Sequence, residues 1–168
     1  GLSAYQTVAS GSSATNPTYW VNKTAEEVYN DIVDAVAQLN VQSKGLSEEE
    51  RSRGGKLVLA VASNTVSQID RKNSYGKSAR TMLNETYGDS LEIVAVPQFN
   101  VADSSSDVFY LIMRPAGKDT IIHSYVEMAR AYPLEVRSSE VYQKISAATS
   151  GCIVQYPVFV VRYNGIGG

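Results

Sequence analysis

The chain has 168 residues, 43% of them hydrophobic and 19% charged, with a formal net charge of -2 and a pI near 5.4. That length suits one domain, or one domain with a small second lobe, and the composition is that of a folding chain and not of a disordered one. The mild negative charge argues against a surface built to neutralise nucleic-acid phosphates, and the lone Cys152 excludes an intrachain disulfide.

The opening stretch GLSAYQTVASGSSATNPT has no charged start followed by an apolar run, so it does not read as a secretory signal. No segment approaches the roughly 20 apolar residues of a bilayer span, and no membrane partner is expected. Gly1 in place of a methionine reads as a cut or cleaved end of a longer natural chain. Residues 1–18 are rich in Ser, Thr, Gly and Ala and read as an extended or loosely ordered lead-in.

Thr24 followed by Glu27 is a capping box, in which the hydroxyl accepts from the Glu27 N–H and the carboxylate reaches back. Ala25, Val28, Ile32, Ala35, Val36 and Leu39 then recur at helical spacing, with Asn30, Asp31, Asp34 and Gln38 mostly on the other side. The spacing predicts a helix over 24–40, resting on a core by one face. VQSKGLSEEERSRGG reads as a polar connection with a solvated surface, and KLVLAVAS as a short buried strand over 56–62. Val66 and Ile69 fit one short helix. Ala79, Met82 and Leu83 fit another, ending at Gly88.

LEIVAVP is expected to be a second buried strand stopped by Pro97, and DVFYLIMR a third, with the polar loop QFNVADSSS between them. RPAGKDT is a turn. From Ile121 onward the chain reads mainly as β, closing on GCIVQYPVFVVRY, an apolar run expected to be covered on both faces with a bulge or edge at Pro157. The fold class is therefore α+β, a central β-sheet flanked by helices with a second β-rich lobe.

No catalytic or cofactor motif emerges. His123 is the sole histidine and reads as a hydrogen-bonded structural residue. Cys152, at the start of an apolar strand, reads as a small buried hydrophobe and not as a nucleophile. One His and one Cys do not make a closed zinc set, and the acidic spacing of a calcium loop is missing. Gly76-Lys77-Ser78 resembles the end of a P-loop, but Arg71 stands where that pattern requires glycine. No metal site, no cofactor and no catalytic residue is expected. The triplets Asn22-Lys23-Thr24 and Asn84-Glu85-Thr86 match a glycosylation sequon without any sign of secretion.

A pattern of elements points further. Asn16-Pro17 and Trp20 lead into the capped helix TAEEVYNDIVDAVAQL. LVLAVAS, a helical stretch ending near a glycine, LEIVAVPQF, a variable loop and DVFYLIM follow, and SGCIVQYPVFVVRYNGI closes the chain. In that order the chain resembles the later part of tailed-phage major coat proteins, the Hong Kong phage fold shared with encapsulin shells. The arm, extended loop and most of the spine helix that precede this part in the family are not in the sequence, so the piece is expected to fold without closing shells.

The resemblance implies an axial domain over 19–120 and, over 121–168, a peripheral domain with its return into the sheet. It implies a structural subunit of an icosahedral phage or prophage shell, made in the bacterial host cytoplasm and located in the virion capsid. The implied partners are copies of itself, as pentamers and hexamers when full length, with no sequence-specific nucleic acid. It also puts the loop of Asn100, Val101, Ala102, Asp103, Ser104, Ser105, Ser106 and Asp107 at the subunit tip, as a contact around the capsomer axis. Asp103 and Asp107 from neighbours would converge there, so that packing must be wet, metal-bridged or angled apart.

Three rivals stay open. They are an encapsulin-like nanocompartment shell, a small α+β enzyme using carboxylates such as Glu127 and Glu135, and a binding or adhesion module.

Overall fold

The computed structural model describes residues 6–100 and 106–167. The described part of the lead-in, 6–18, is more firmly held than its composition predicts. Gln6–Thr7 form a short strand, β1, and Val8 is buried. The Gly11 N–H donates to Pro17 O at 2.7 Å and the Ser12 N–H to Glu27 Oε1 at 2.7 Å, so the segment is tied to the start of the first helix.

That helix, α1 (Ala25–Gln42), carries the predicted capping box. The Glu27 N–H donates to Thr24 Oγ1 at 3.3 Å, and Glu27 Oε2 accepts from the Thr24 N–H at 2.8 Å. Its apolar stripe buries Val28, Ile32, Ala35, Val36 and Leu39. Asp31 departs from expectation: it is 4% exposed, on the buried side. Trp20 Nε1 donates to Asp31 Oδ2 at 2.8 Å, and Lys23 Nζ donates to the same oxygen at 2.6 Å and to Ala9 O at 2.6 Å. Burial pushes the Asp31 carboxyl above its ordinary range, against the downward pull of Lys23 and Trp20. Helical periodicity alone does not show that a lysine from the preceding turn folds onto this carboxylate.

The expected polar connection contains a helix, α2 (Leu46–Ser52). Glu48 pairs with Arg51 three residues on, and Glu49 with Arg53 four residues on, so the charges that read as a solvated loop are spaced to support a helix. β2 (Lys56–Ala62) has the predicted bounds. α3 (Val66–Ile69) and α4 (Ala79–Tyr87) follow, and Ser78 caps α4 by accepting from the Thr81 N–H.

β3 (Leu91–Val96) is parallel to β2 but lies at the sheet edge, with Leu91 its one buried residue; the expectation of a second buried strand is corrected here. An apolar run does not reveal whether a strand has neighbours on both sides. Pro97 stops β3 by opening a 3-10 turn, Pro97–Phe99.

β4 (Asp107–Arg114) runs antiparallel to β2. β5 (Ile121–Ala131), β6 (Glu135–Arg137), β7 (Glu140–Tyr142) and β8 (Ile145–Val154) come next, and β9 (Val160–Gly167) closes the chain. The central sheet has the order β1-β9-β4-β2-β3, with β9 antiparallel to β4 and β1 parallel to β9. Its core includes Trp20, Phe109 and Tyr163. Phe109 lies 5.3 Å from the Trp20 ring and is stacked 5.1 Å from Tyr163.

The chain divides into two compact units. One runs up to Thr120 and resumes at Tyr156, and the other is Ile121–Gln155. In the second, β5 pairs with β8 through several register shifts and β6 pairs with β7, and none of its described residues is buried. The closing apolar run is therefore not one strand. GCIV ends β8 with Cys152, Ile153 and Val154 exposed, against the expectation of a buried cysteine. VVRY opens β9 in the central sheet, and the two parts are separated by a 3-10 turn, Pro157–Phe159. Pro157 opens that turn, where its missing N–H removes no ladder bond.

Candidate functional site

The topology gathers one end of the central sheet. β2, β3 and β9 run the same way and β4 runs against them, so the ends of β2, β3 and β9 and the start of β4 lie together. The expected tip loop springs from this end. Residues 101–105 fall outside the described residues, so Val101, Ala102, Asp103, Ser104 and Ser105 have no structural account; Asn100, Ser106 and Asp107 do.

Asn100 is held by the segment leaving β2. Its Nδ2 donates to Ser63 Oγ at 2.9 Å, and its Oδ1 accepts from the Asn64 N–H at 3.2 Å. Ser106 is half-buried. Asp107 is 2% exposed and stands opposite Gly167 in the β4–β9 pairing, where the ladder is irregular. A β-carbon on Gly167 would come within 2.6 Å of Asp107 Oδ2 and 2.5 Å of the Thr65 methyl, so this corner accepts no side chain. Within the isolated chain Asp107 is thus an internal anchor at the foot of the loop, whereas the sequence reading turned it outward toward a neighbour. The support from Ser63, Asn64 and Thr65 was missed, and the polar triplet directly after an apolar strand is the signal that marks it.

The second unit holds the remaining candidates. His123 and Cys152 are cross-strand partners on the β5–β8 ladder, both exposed, and the His123 ring lies 3.1 Å from Thr149 Oγ1. Glu127 lines a concavity of about 350 Å³ with His123 and Met128. Glu135 lines another, of about 430 Å³, with Tyr132, Tyr142 and Lys144. The two carboxylates weighed as an acid–base pair therefore face separate hollows. Among the described residues no three His, Cys, Asp or Glu gather to hold a metal, and no helix is long and apolar enough to cross a membrane.

The exposed surface of this unit is apolar to a degree that the sequence did not disclose. Val126, Met128, Val136 and Ile145 are each more than 60% exposed. Such residues on paired strands make an apolar surface of the kind that marks interaction sites.

Residues 2–165 match the family model of the Pa193 gp26 major capsid protein. The chain belongs to that family. Among solved structures it is similar to a chain of the capsid of Myoviridae phage XM1, at a TM-score of 0.72 and 13% identity, over 99% of this chain and 53% of that one. It is also similar to a chain of the virus-like particle from Pyrococcus furiosus, at 0.55 and 14%, over 92% of this chain and 54% of the other. At those identities the likeness is one of fold, and the chain spans about half the length of either. A search of curated proteins found no match. The α+β architecture is that of a capsid subunit, and the role that goes with the family is structural.

Proposed function

We propose that this chain is the folded body of a phage coat protein that, at full length, assembles with copies of itself as pentamers and hexamers into an icosahedral shell around a genome. It acts without catalysis, cofactor or sequence-specific nucleic-acid contact. It is made in the bacterial host cytoplasm and ends in the virion. The axial domain is 19–120, the peripheral domain lies within 121–168 and returns to the sheet, and the lead-in is 1–18. The match of residues 2–165 to a major capsid protein family carries this reading, and it favours a phage coat over a nanocompartment shell.

The tip loop contributes contacts around the capsomer axis. Asn100 and Asp107 are anchored at the two ends of this segment, which suits a loop that takes part in contacts between copies. The full-length gene product is to be expressed and viewed by negative-stain electron microscopy. Closed particles of regular size are expected; soluble monomers alone would contradict assembly. Deleting Ser104 to Ser106 in that protein should lower particle yield or stability, and unchanged shells would remove the loop from the capsomer contacts.

A further inference from the structure

At the opposite end of the central sheet, Gly54, Lys56 and the turn from Arg114 to Asp119 enclose a concavity of about 390 Å³. Lys56 and Arg114 stand directly opposite each other in the β2–β4 pairing, so two cations share one face at adjacent positions. Like charges so placed destabilise a sheet unless something offsets them. Lys118 adds a third cation to the same hollow. The one carboxylate there, Asp119, pairs with Arg114 at 3.1 Å, while both side chains stay more than half exposed. Neither Lys56 nor Lys118 has an ion-pair partner among the described residues.

The backbone that carries the cations is fixed. The Lys118 N–H closes a turn onto Pro115 O at 3.2 Å, and Gly117 takes the positive φ of 70° that this turn requires. Thr120 is buried, with its hydroxyl donating to Met113 O. Below them, Gly55 packs so closely that a β-carbon would meet Met113 Cε at 2.5 Å and Glu50 O at 2.8 Å. The hollow is thus a backbone-fixed recess rimmed by three exposed cations, on a chain whose net charge is -2.

We infer that the socket of Lys56, Arg114 and Lys118 receives a carboxylate side chain from a second copy of this chain. This inference rests on the shell reading above. A copy of the same chain carries more carboxylates than cations, and one recess with three cations suits a carboxylate better than it tracks a phosphate backbone, which needs a stripe of cations. Charge complementarity of this kind fixes register between subunits and excludes wrong pairings.

The test uses the full-length coat protein carrying Lys56→Glu with Lys118→Glu, beside Lys56→Arg with Lys118→Arg. The charge-reversed protein should give at least tenfold fewer shells than wild type, and the arginine protein should assemble normally. Thermal melting of the 168-residue chain with the same reversals checks the fold, and its midpoint should not fall, because the reversal relieves the Lys56–Arg114 repulsion. Normal shell yield from the reversed protein would overturn the socket and leave the shell reading standing. So would normal yield with less co-purifying nucleic acid, which would assign the cations to a polyanion. A wild type that forms no shells would sink the shell reading, and the socket with it.

Discussion

The body around β2 and β4 and the paired strands of residues 121–155 draw on similarly apolar sequence, and they use it in opposite ways. In the body, Leu59, Leu111 and Phe109 are fully buried and sit against α1 and the lead-in. In the second unit, Val126, Met128 and Val136 are 73%, 79% and 76% exposed. A two-stranded ladder is marginal in water unless a further layer covers it. The difference separates a region with a buried core from one whose apolar side chains are exposed in this chain; under the shell reading proposed above, neighbouring subunits cover them.

The strongest way to break this contrast is to attack the body. Phe109→Ala should destabilise the chain by about 3–5 kcal/mol in urea unfolding, because both a stacked ring and its packing are lost. Lys23→Met should cost a similar amount, about 3–5 kcal/mol, by leaving the Asp31 carboxylate buried without its cation. If Lys23→Met with Asp31→Leu recovers most of that loss, the penalty belongs to the stranded charge. Failure to recover would place it in the packing.

How much of this was legible in the sequence varied with the physical signal. The capping box, the bounds of β2 and the end of α4 at Gly88 are local, and each is written in residues within a few positions of one another. The burial of Asp31 was not legible, because it depends on Lys23 and Trp20 arriving from the preceding turn. β3 and GCIV look alike as apolar runs, yet one is a sheet edge and the other an exposed ladder, since neighbours and not composition decide burial. The inward setting of Asp107 follows from the β4–β9 pairing, a long-range fact that the sequence does not carry.

Smaller effects sharpen the same contrast. Thr24→Ala should cost about 1 kcal/mol by removing the hydroxyl that accepts from the Glu27 N–H. Glu27 adds a pH signature. Its carboxyl is held below the ordinary value, first by the Thr24 N–H and also by the Ser12 N–H. A depressed native pKa gives stability that is fully present above the unfolded value of about 4.3 and is lost as pH falls through the native value. The melting midpoint of Glu27→Gln should therefore lie below wild type at neutral pH and converge with it in acid; a constant gap would contradict the assignment. Least of all, Val136→Ser and Met128→Ser should each change the stability of this chain by less than about 0.5 kcal/mol, since neither side chain is buried. A loss above about 2 kcal/mol from either would show that the second unit has a core of its own.

Hydrogen–deuterium exchange, comparing this 168-residue chain with shells of the full-length protein, tests the division most directly. Amides of β2 and β4 should be protected in both. Amides of 121–155 should exchange rapidly in the isolated chain and gain the largest protection of any segment on assembly. Equal exchange of 121–155 in the two states would contradict the claim that this unit is completed by neighbouring subunits.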